Sequence, residues 1–365
     1  MVPADGIRRR PWLLLGAFVS ASAVIALVVL AADDPPVPPE RGYLADRSAM
    51  VDVAGLAAQG SEPWQSGRDQ LLAFADDAVR RGPHPAPVLD LDDTSGDFVD
   101  DTTDSYALAL AWSVTGQERY ASAAARIVNS WVSTARATRN TCADTGACTT
   151  SLILGRAAPA FVFVADLVGG AAFTGAEIER LRDWLSDLVL PAASERANNW
   201  GDAGTFMRVV VSDYLDDEPA FDAALDAWRA GLALTAADGH LPEEVRRGRS
   251  GIQYTQEALT YRVAVATLAE RRGIDLWSER APSGATLEDS IAYLAGSMAD
   301  PTAWPWDDDP RRPAPGPMWE LAFAHSQNCA YVPLIDEGRP FGERGNSAVR
   351  WTTLTNAQAL DGCRS

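Results

Sequence analysis

An all-α fold of helical hairpins stacked into a ring is what this sequence predicts, and three observations carry the prediction. Segment after segment places apolar residues at helical spacing behind a capping residue or ahead of a stop signal. No convincing stretch alternates apolar and polar residues as a half-buried strand does. The helices follow neither a heptad seam nor a strict repeat, which disfavours a coiled coil or a regular tetratricopeptide-type array. Helix pairs closed into an α/α toroid fit what is left.

The N-terminus stands apart. Residues 1–32 read as a targeting segment, with Arg8, Arg9 and Arg10 preceding an uncharged apolar run from Trp12 to Ala32. A run of about 20 residues suffices for a transmembrane helix and exceeds the usual secretory core of about 7–15. An uncleaved signal-anchor, arginines inside, is favoured over a signal peptide cut near Ala31. Residues 33–48 form an acidic spacer in which Pro35, Pro36, Pro38 and Pro39 favour an extended chain. The ring is assigned to residues 49–365 and placed outside the cytoplasm, tethered to the membrane or, after cleavage, secreted.

Within the ring, Asp104 to Trp112 reads as a helix behind a run of capping acids and threonines, and Gln117 to Ala135 as a second. Leu152 to Val168 is apolar but interrupted by Arg156, Pro159 and Asp166, so it reads as a core helix and not a second span. Thr174-Gly175-Ala176-Glu177 is a capping box, followed by Ile178, Leu181, Trp184, Leu185 and Leu188 on one face and stopped by Pro191. Asp217-Glu218-Pro219 starts the next helix, which carries Phe221, Leu225, Trp228 and Leu232. Gln256 to Arg272 closes on Gly273, and Thr286 to Met298 and Met318 to Val332 complete the set.

Composition narrows the function. Acidic residues number 50 against 31 basic ones, a net charge of −19, and every basic residue is Arg. Such acidity argues against a nucleic-acid partner, and the absence of Lys removes Schiff-base chemistry. Cys142, Cys148, Cys329 and Cys363, an even count in an exported chain, read as two disulfides. Proximity suggests Cys142–Cys148 and Cys329–Cys363, with three connectivities open. The cysteine spacings and three His do not suit zinc, so neither metal nor cofactor is expected, and a monomer is assumed.

Three clusters interrupt the helical pattern. Arg196-Ala197-Asn198-Asn199-Trp200-Gly201-Asp202 has a plain reading as a loop with Asn caps. In Asp238-Gly239-His240-Leu241-Pro242-Glu243-Glu244-Val245-Arg246-Arg247-Gly248-Arg249, three arginines concentrate positive charge in a negative protein. That suggests an anionic target, or else a solvated turn whose arginines pair with the neighbouring glutamates. Pro315 to His325 turns into an aromatic-bearing helix, with His325 read as structural.

Together these residues resemble the alginate lyase domain of polysaccharide lyase family five. The likeness rests on Asn198-Asn199, then Leu241-Pro242, Glu244, Arg246-Arg247 and Arg249 with Tyr254, then Gly273-Ile274-Asp275-Leu276-Trp277. A looser likeness extends over roughly residues 100–355, including Gly338-Arg339-Pro340 and Trp351 to Thr355. The resemblance implies an incomplete α/α toroid with a central cleft and β-elimination on an acidic, uronate-containing polysaccharide. Asn199 and Arg247 would then neutralise the uronate carboxylate, while Tyr254 acts as base and then acid. Arg247 and Tyr254 would lie about 10 Å apart along a regular helix. Asn198, Trp200, Arg246, Arg249 and His240 are assigned to substrate binding. One departure stands out: the family has His where this chain has Trp200, which implies syn elimination through Tyr254 alone and a polymer other than ordinary alginate, with His240 a candidate replacement imidazole. Two alternatives stay open: an inactive, membrane-tethered glycan-binding protein, and an α/α-barrel glycoside hydrolase using two of Asp238, Glu243, Glu244 and Glu257.

Overall fold

The structure, a computed structural model, describes residues 35–91, 96–139, 149–345 and 347–363. The N-terminal apolar run, Cys142 and Cys148 lie outside the described residues.

Fifteen α-helices dominate the described residues. They are α1 (Arg47–Ala58), α2 (Trp64–Arg81), α3 (Gly96–Thr115), α4 (Glu118–Thr134), α5 (Thr150–Ala157), α6 (Pro159–Ala172), α7 (Gly175–Trp184), α8 (Asn199–Leu215), α9 (Glu218–Leu232), α10 (Pro242–Val245), α11 (Gly251–Arg271), α12 (Leu287–Ala299), α13 (Met318–Ser326), α14 (Val332–Gly338) and α15 (Thr352–Thr355). A two-residue parallel pair, β1 (Val88–Leu89) with β2 (Ala137–Thr138), is the strand content of the described residues. Helix α3 packs on α6, α6 on α8, α8 on α11, α11 on α13 and α13 on α15, which returns to α1 and α2. These inner helices are buried over most of their circumference, as α8 shows from Ala203 to Tyr214. Amphipathic helices α4, α7, α9 and α12 cover them from outside, each burying one stripe, such as Phe221, Leu225, Trp228 and Leu232 of α9.

Local signals set several boundaries as expected. Thr174 and Glu177 form the capping box of α7, Asp217 caps α9, and Thr286 forms a second capping box with Asp289 at α12. Thr150–Ala172 is apolar enough to cross a bilayer, yet 94% of its most apolar window is buried inside the protein, so it is a core element. It divides at Ala158, where Pro159 begins the second helix.

Three expectations are corrected. Helix α3 begins at Gly96, not at Asp104, because its acids are satisfied by distant partners and not by caps. Asp101 accepts from the His84 backbone and Trp131 Nε1, and Asp104 pairs with Arg81. Helix α11 starts at Gly251, a turn before Gln256. Met318 to Val332 is not one helix: Gln327 adopts a left-handed conformation (φ 52°), Asn328 caps a short turn over Cys329–Tyr331, and α14 follows.

The segment from Pro35 lies against the ring. The Pro35 carbonyl occupies the place where a Cβ of Gly175 would be, a close approach that only glycine accommodates. Arg41 and Gly42 donate their backbone N–H groups to the two oxygens of Asp166 at 2.6 and 2.8 Å, and Tyr43, Leu44 and Ala45 are buried. At the other end Cys329 and Cys363 are joined as a disulfide, fixing the C-terminal segment beside α13.

Candidate active site

Pro242 starts α10 with its fixed φ, and four residues later the chain leaves the helix. Gly248 takes a positive φ of 54°, a short turn covers Gly248–Ser250, and α11 begins at Gly251. Arg247 and Tyr254 therefore do not share one regular helix. Across the turn the two side chains converge, the Arg247 guanidinium carbon lying 4.3 Å from the centre of the Tyr254 ring. Arg247 is exposed and Tyr254 half-buried, so the pair faces solvent across one open side.

Asn198 and Asn199 divide the work at the start of α8. Asn198 is a cap, its side chain accepting the Trp200 N–H at 3.1 Å. Asn199 is fully buried, and its N–H donates to Glu244 Oε1 at 2.6 Å. The Glu244 carbonyl in turn accepts the Arg247 N–H at 3.0 Å. A continuous path thus runs from Asn199 through Glu244 to Arg247 and Tyr254. Both polar atoms of the Asn199 side chain and Glu244 Oε2 are buried with no hydrogen-bond partner, a concentration that native interiors ordinarily avoid. Burial pushes the Glu244 carboxyl up to about 7; Asp202 adds to the rise, and the Asn199 N–H, Arg247 and Arg262 oppose it. Beneath it Asp202 pairs with Arg262 at 2.8 Å.

The remaining candidates are spread around this path. Trp200 carries the Arg196 guanidinium 3.9 Å above its ring. Arg246 pairs with Glu243, and Arg249 with Asp309 at 3.1 Å. His240 is held by Asp238 at 2.6 Å, and its ring lies 4.9 Å from Trp306 and 5.9 Å from Tyr293. Glu257 is paired with Arg156. Three of the four carboxylates considered for a hydrolase are thus engaged by a cation or imidazole, and the fourth is Glu244. His325 stacks on Trp277 with ring centres 4.0 Å apart.

Sequence reasoning missed a cleft of about 400 Å³ along α11, lined by Gln253, Gln256, Tyr261, Arg311 and Arg344, with neither Arg247 nor Tyr254 in its lining. The side chains of Arg311 and Arg344 have no carboxylate partner among the described residues. The legible signal was Gln253, Gln256, Glu257 and Thr260, a polar stripe at helical spacing on a helix otherwise buried. A cavity of about 520 Å³ between α8 and α9 includes Asn198, Asp202 and Arg262 but neither Arg247 nor Tyr254. Among the described residues no group of three His, Cys, Asp or Glu is placed to hold a metal ion.

The alginate lyase family profile matches residues 59–304. Solved structures with the same fold include alginate lyase A1-III from Sphingomonas species A1, at 16% identity and a TM-score of 0.64 over 87% of this chain and 98% of that one. A Tyr-to-Phe variant of alginate lyase A1-III complexed with tetrasaccharide gives 16% identity and 0.65 over 86% and 96%. An alginate lyase from Bacteroides ovatus gives 15% and 0.64 over 87% and 100%. No curated protein matches the chain. With the profile covering well over half of its length on a matching helical ring, this chain belongs to the alginate lyase family of polysaccharide lyases.

Proposed function

We propose that this protein cleaves a uronate-containing acidic polysaccharide by β-elimination, with Tyr254 as the proton-transferring group and Arg247 and Asn199 as the grip on the uronate carboxylate. The observation that carries this reading is the convergence of Arg247 on Tyr254, on the path that also holds Asn199. The C5 proton of a uronate is a weak carbon acid, and it leaves readily only when negative charge developing on the adjacent carboxylate is stabilised. The Arg247 guanidinium supplies that charge, and the Asn199 amide, which has no partner in the protein, supplies a donor. Tyr254 as phenolate takes the C5 proton. The electron pair forms the C4–C5 double bond, the bond from C4 to the bridging oxygen breaks, and Tyr254 returns the proton to that oxygen. No water is consumed.

Trp200 stands where the family's imidazole would stand, and indole neither accepts a proton nor carries charge. Tyr254 therefore serves as both base and acid on one face of the sugar, giving syn elimination, and the polymer differs from ordinary alginate. His240, engaged with Asp238 and Trp306, is not assigned the missing role. Arg311 and Arg344 are assigned to neighbouring acidic sugars along the cleft. The site works outside the cytoplasm, where the Cys329–Cys363 disulfide is stable, and residues 1–32 tether it to the membrane.

The test is a panel of uronate polymers screened for new ultraviolet-absorbing unsaturated ends. At least one polymer should yield them with the wild type and none with Tyr254→Phe. Full activity of Tyr254→Phe on a polymer that the wild type cleaves overturns the assignment, and retention of the polymers without any product identifies a binding protein instead.

A further inference from the structure

Glu244 touches both halves of the carboxylate grip. Its Oε1 accepts the Asn199 N–H at 2.6 Å, its carbonyl accepts the Arg247 N–H at 3.0 Å, and Arg247 covers Tyr254. The residue is 1% exposed, and its Oε2 has no hydrogen-bond partner. Enclosing a carboxylate with one oxygen unsatisfied is a poor way merely to hold a backbone, because a neutral glutamine accepts the same N–H without a charge to desolvate. We propose that Glu244 is a positioning residue whose ionised carboxylate holds the start of α8 against the turn that its own backbone carbonyl forms with Arg247, so that Asn199 and Arg247 meet one substrate carboxylate. This rests on the lyase reading and deepens it.

The electrostatics give the role a measurable pH dependence. Facing Glu244 are Asp202 from α8, Arg262 from α11 and Arg247 from the turn after α10. Burial raises its carboxyl to about 7, so the ionised form gains population as pH rises through neutrality. The sign for stability is opposite. A carboxyl raised above its unfolded value binds more protons in the folded state, so its contribution to stability falls as pH rises from the ordinary carboxylate range to about 7. A charge that lowers stability while ordering two residues of the site points to function over folding.

The test compares the full-length wild type, Glu244→Gln and Glu244→Asp on a polymer that the wild type cleaves, following unsaturated ends and thermal midpoints between about pH 5 and 9. Glu244→Gln should lose about tenfold or more in kcat with a smaller change in KM, and should lose the rise in rate centred near neutrality. Its thermal midpoint at alkaline pH should equal or exceed that of the wild type. Glu244→Asp should keep the titration at a reduced rate. Wild-type rates and an unmoved pH profile in Glu244→Gln overturn the role, as does a loss of stability at every pH in parallel with the rate, which marks a structural carboxylate. Tyr254→Phe run alongside separates the two claims. If it still forms unsaturated ends, or if the wild type cleaves nothing, the lyase site fails and this role with it. If it is inactive while the Glu244→Gln profile is unmoved, the Glu244 role alone falls.

Discussion

Asp166 and Glu244 are both buried carboxylates that receive backbone N–H groups from a distant segment, and burial raises the carboxyl of each, to about 6 and about 7. They differ in completeness. Both oxygens of Asp166 are occupied, one by the Arg41 N–H and one by the Gly42 N–H, and the segment they hold continues into buried Tyr43 and Leu44. Glu244 has one oxygen occupied and one empty, and the Asn199 amide bonded to neither. The Asp166 clip closes on itself, whereas the Glu244 junction leaves the Asn199 side chain and one Glu244 oxygen without protein partners. One device, a buried carboxylate gripping backbone, thus builds structure where it is saturated and, on the proposed lyase reading, a site where it is not.

Substitutions sharpen this contrast, starting with the largest expected effect. Tyr254→Phe removes the hydroxyl proposed to transfer the proton and should lower the rate of unsaturated-end formation by at least about a thousandfold, with an unchanged thermal midpoint. Arg247→Ala and Asn199→Ala should each cost about a hundredfold in kcat, measured as initial rates at saturating polymer, because each removes a donor to developing charge. Asp166→Asn should behave in the opposite way. It places an amide N–H against a backbone donor, so denaturant unfolding should show a loss of about 1–3 kcal/mol while kcat per folded molecule is unchanged. The raised carboxyl also means that the Asp166 contribution falls as pH rises towards about 6, so the gap between wild type and variant should narrow across that window. A large loss of kcat in Asp166→Asn would erase the distinction. Smallest of all, Arg246→Ala breaks an exposed pair with Glu243 and should change stability by less than about 0.5 kcal/mol, measured in the same unfolding experiment.

How much of this was legible in the sequence depended on distance along the chain. Thr174 with Glu177, Asp217 and Thr286 announce their helices because a cap and its partner lie within one turn. The helix at Asp104 was read as starting too late because its acids bond to His84, Trp131 and Arg81, which only the fold brings near. The break after Ser326 depends on a left-handed Gln327, a conformation that no glycine marked in advance. At the site, Arg247, Tyr254 and Asn199 were named from the sequence, but their spacing was not, since Gly248 replaces a straight helix with a turn. Glu244 enters the sequence reading as part of the family motif and as a hydrolase candidate, without a positioning role, and Arg311 and Arg344 not at all, because their neighbours are brought to them only by the fold.

Elimination at the Arg247–Tyr254 junction is tested by mass spectrometry of the products that the wild type forms. Elimination predicts an unsaturated uronate at each new non-reducing end, the products together carrying the mass of the polymer with no water added. Saturated non-reducing ends, with one water added for each linkage cut, would contradict it and assign the cleavage to hydrolysis.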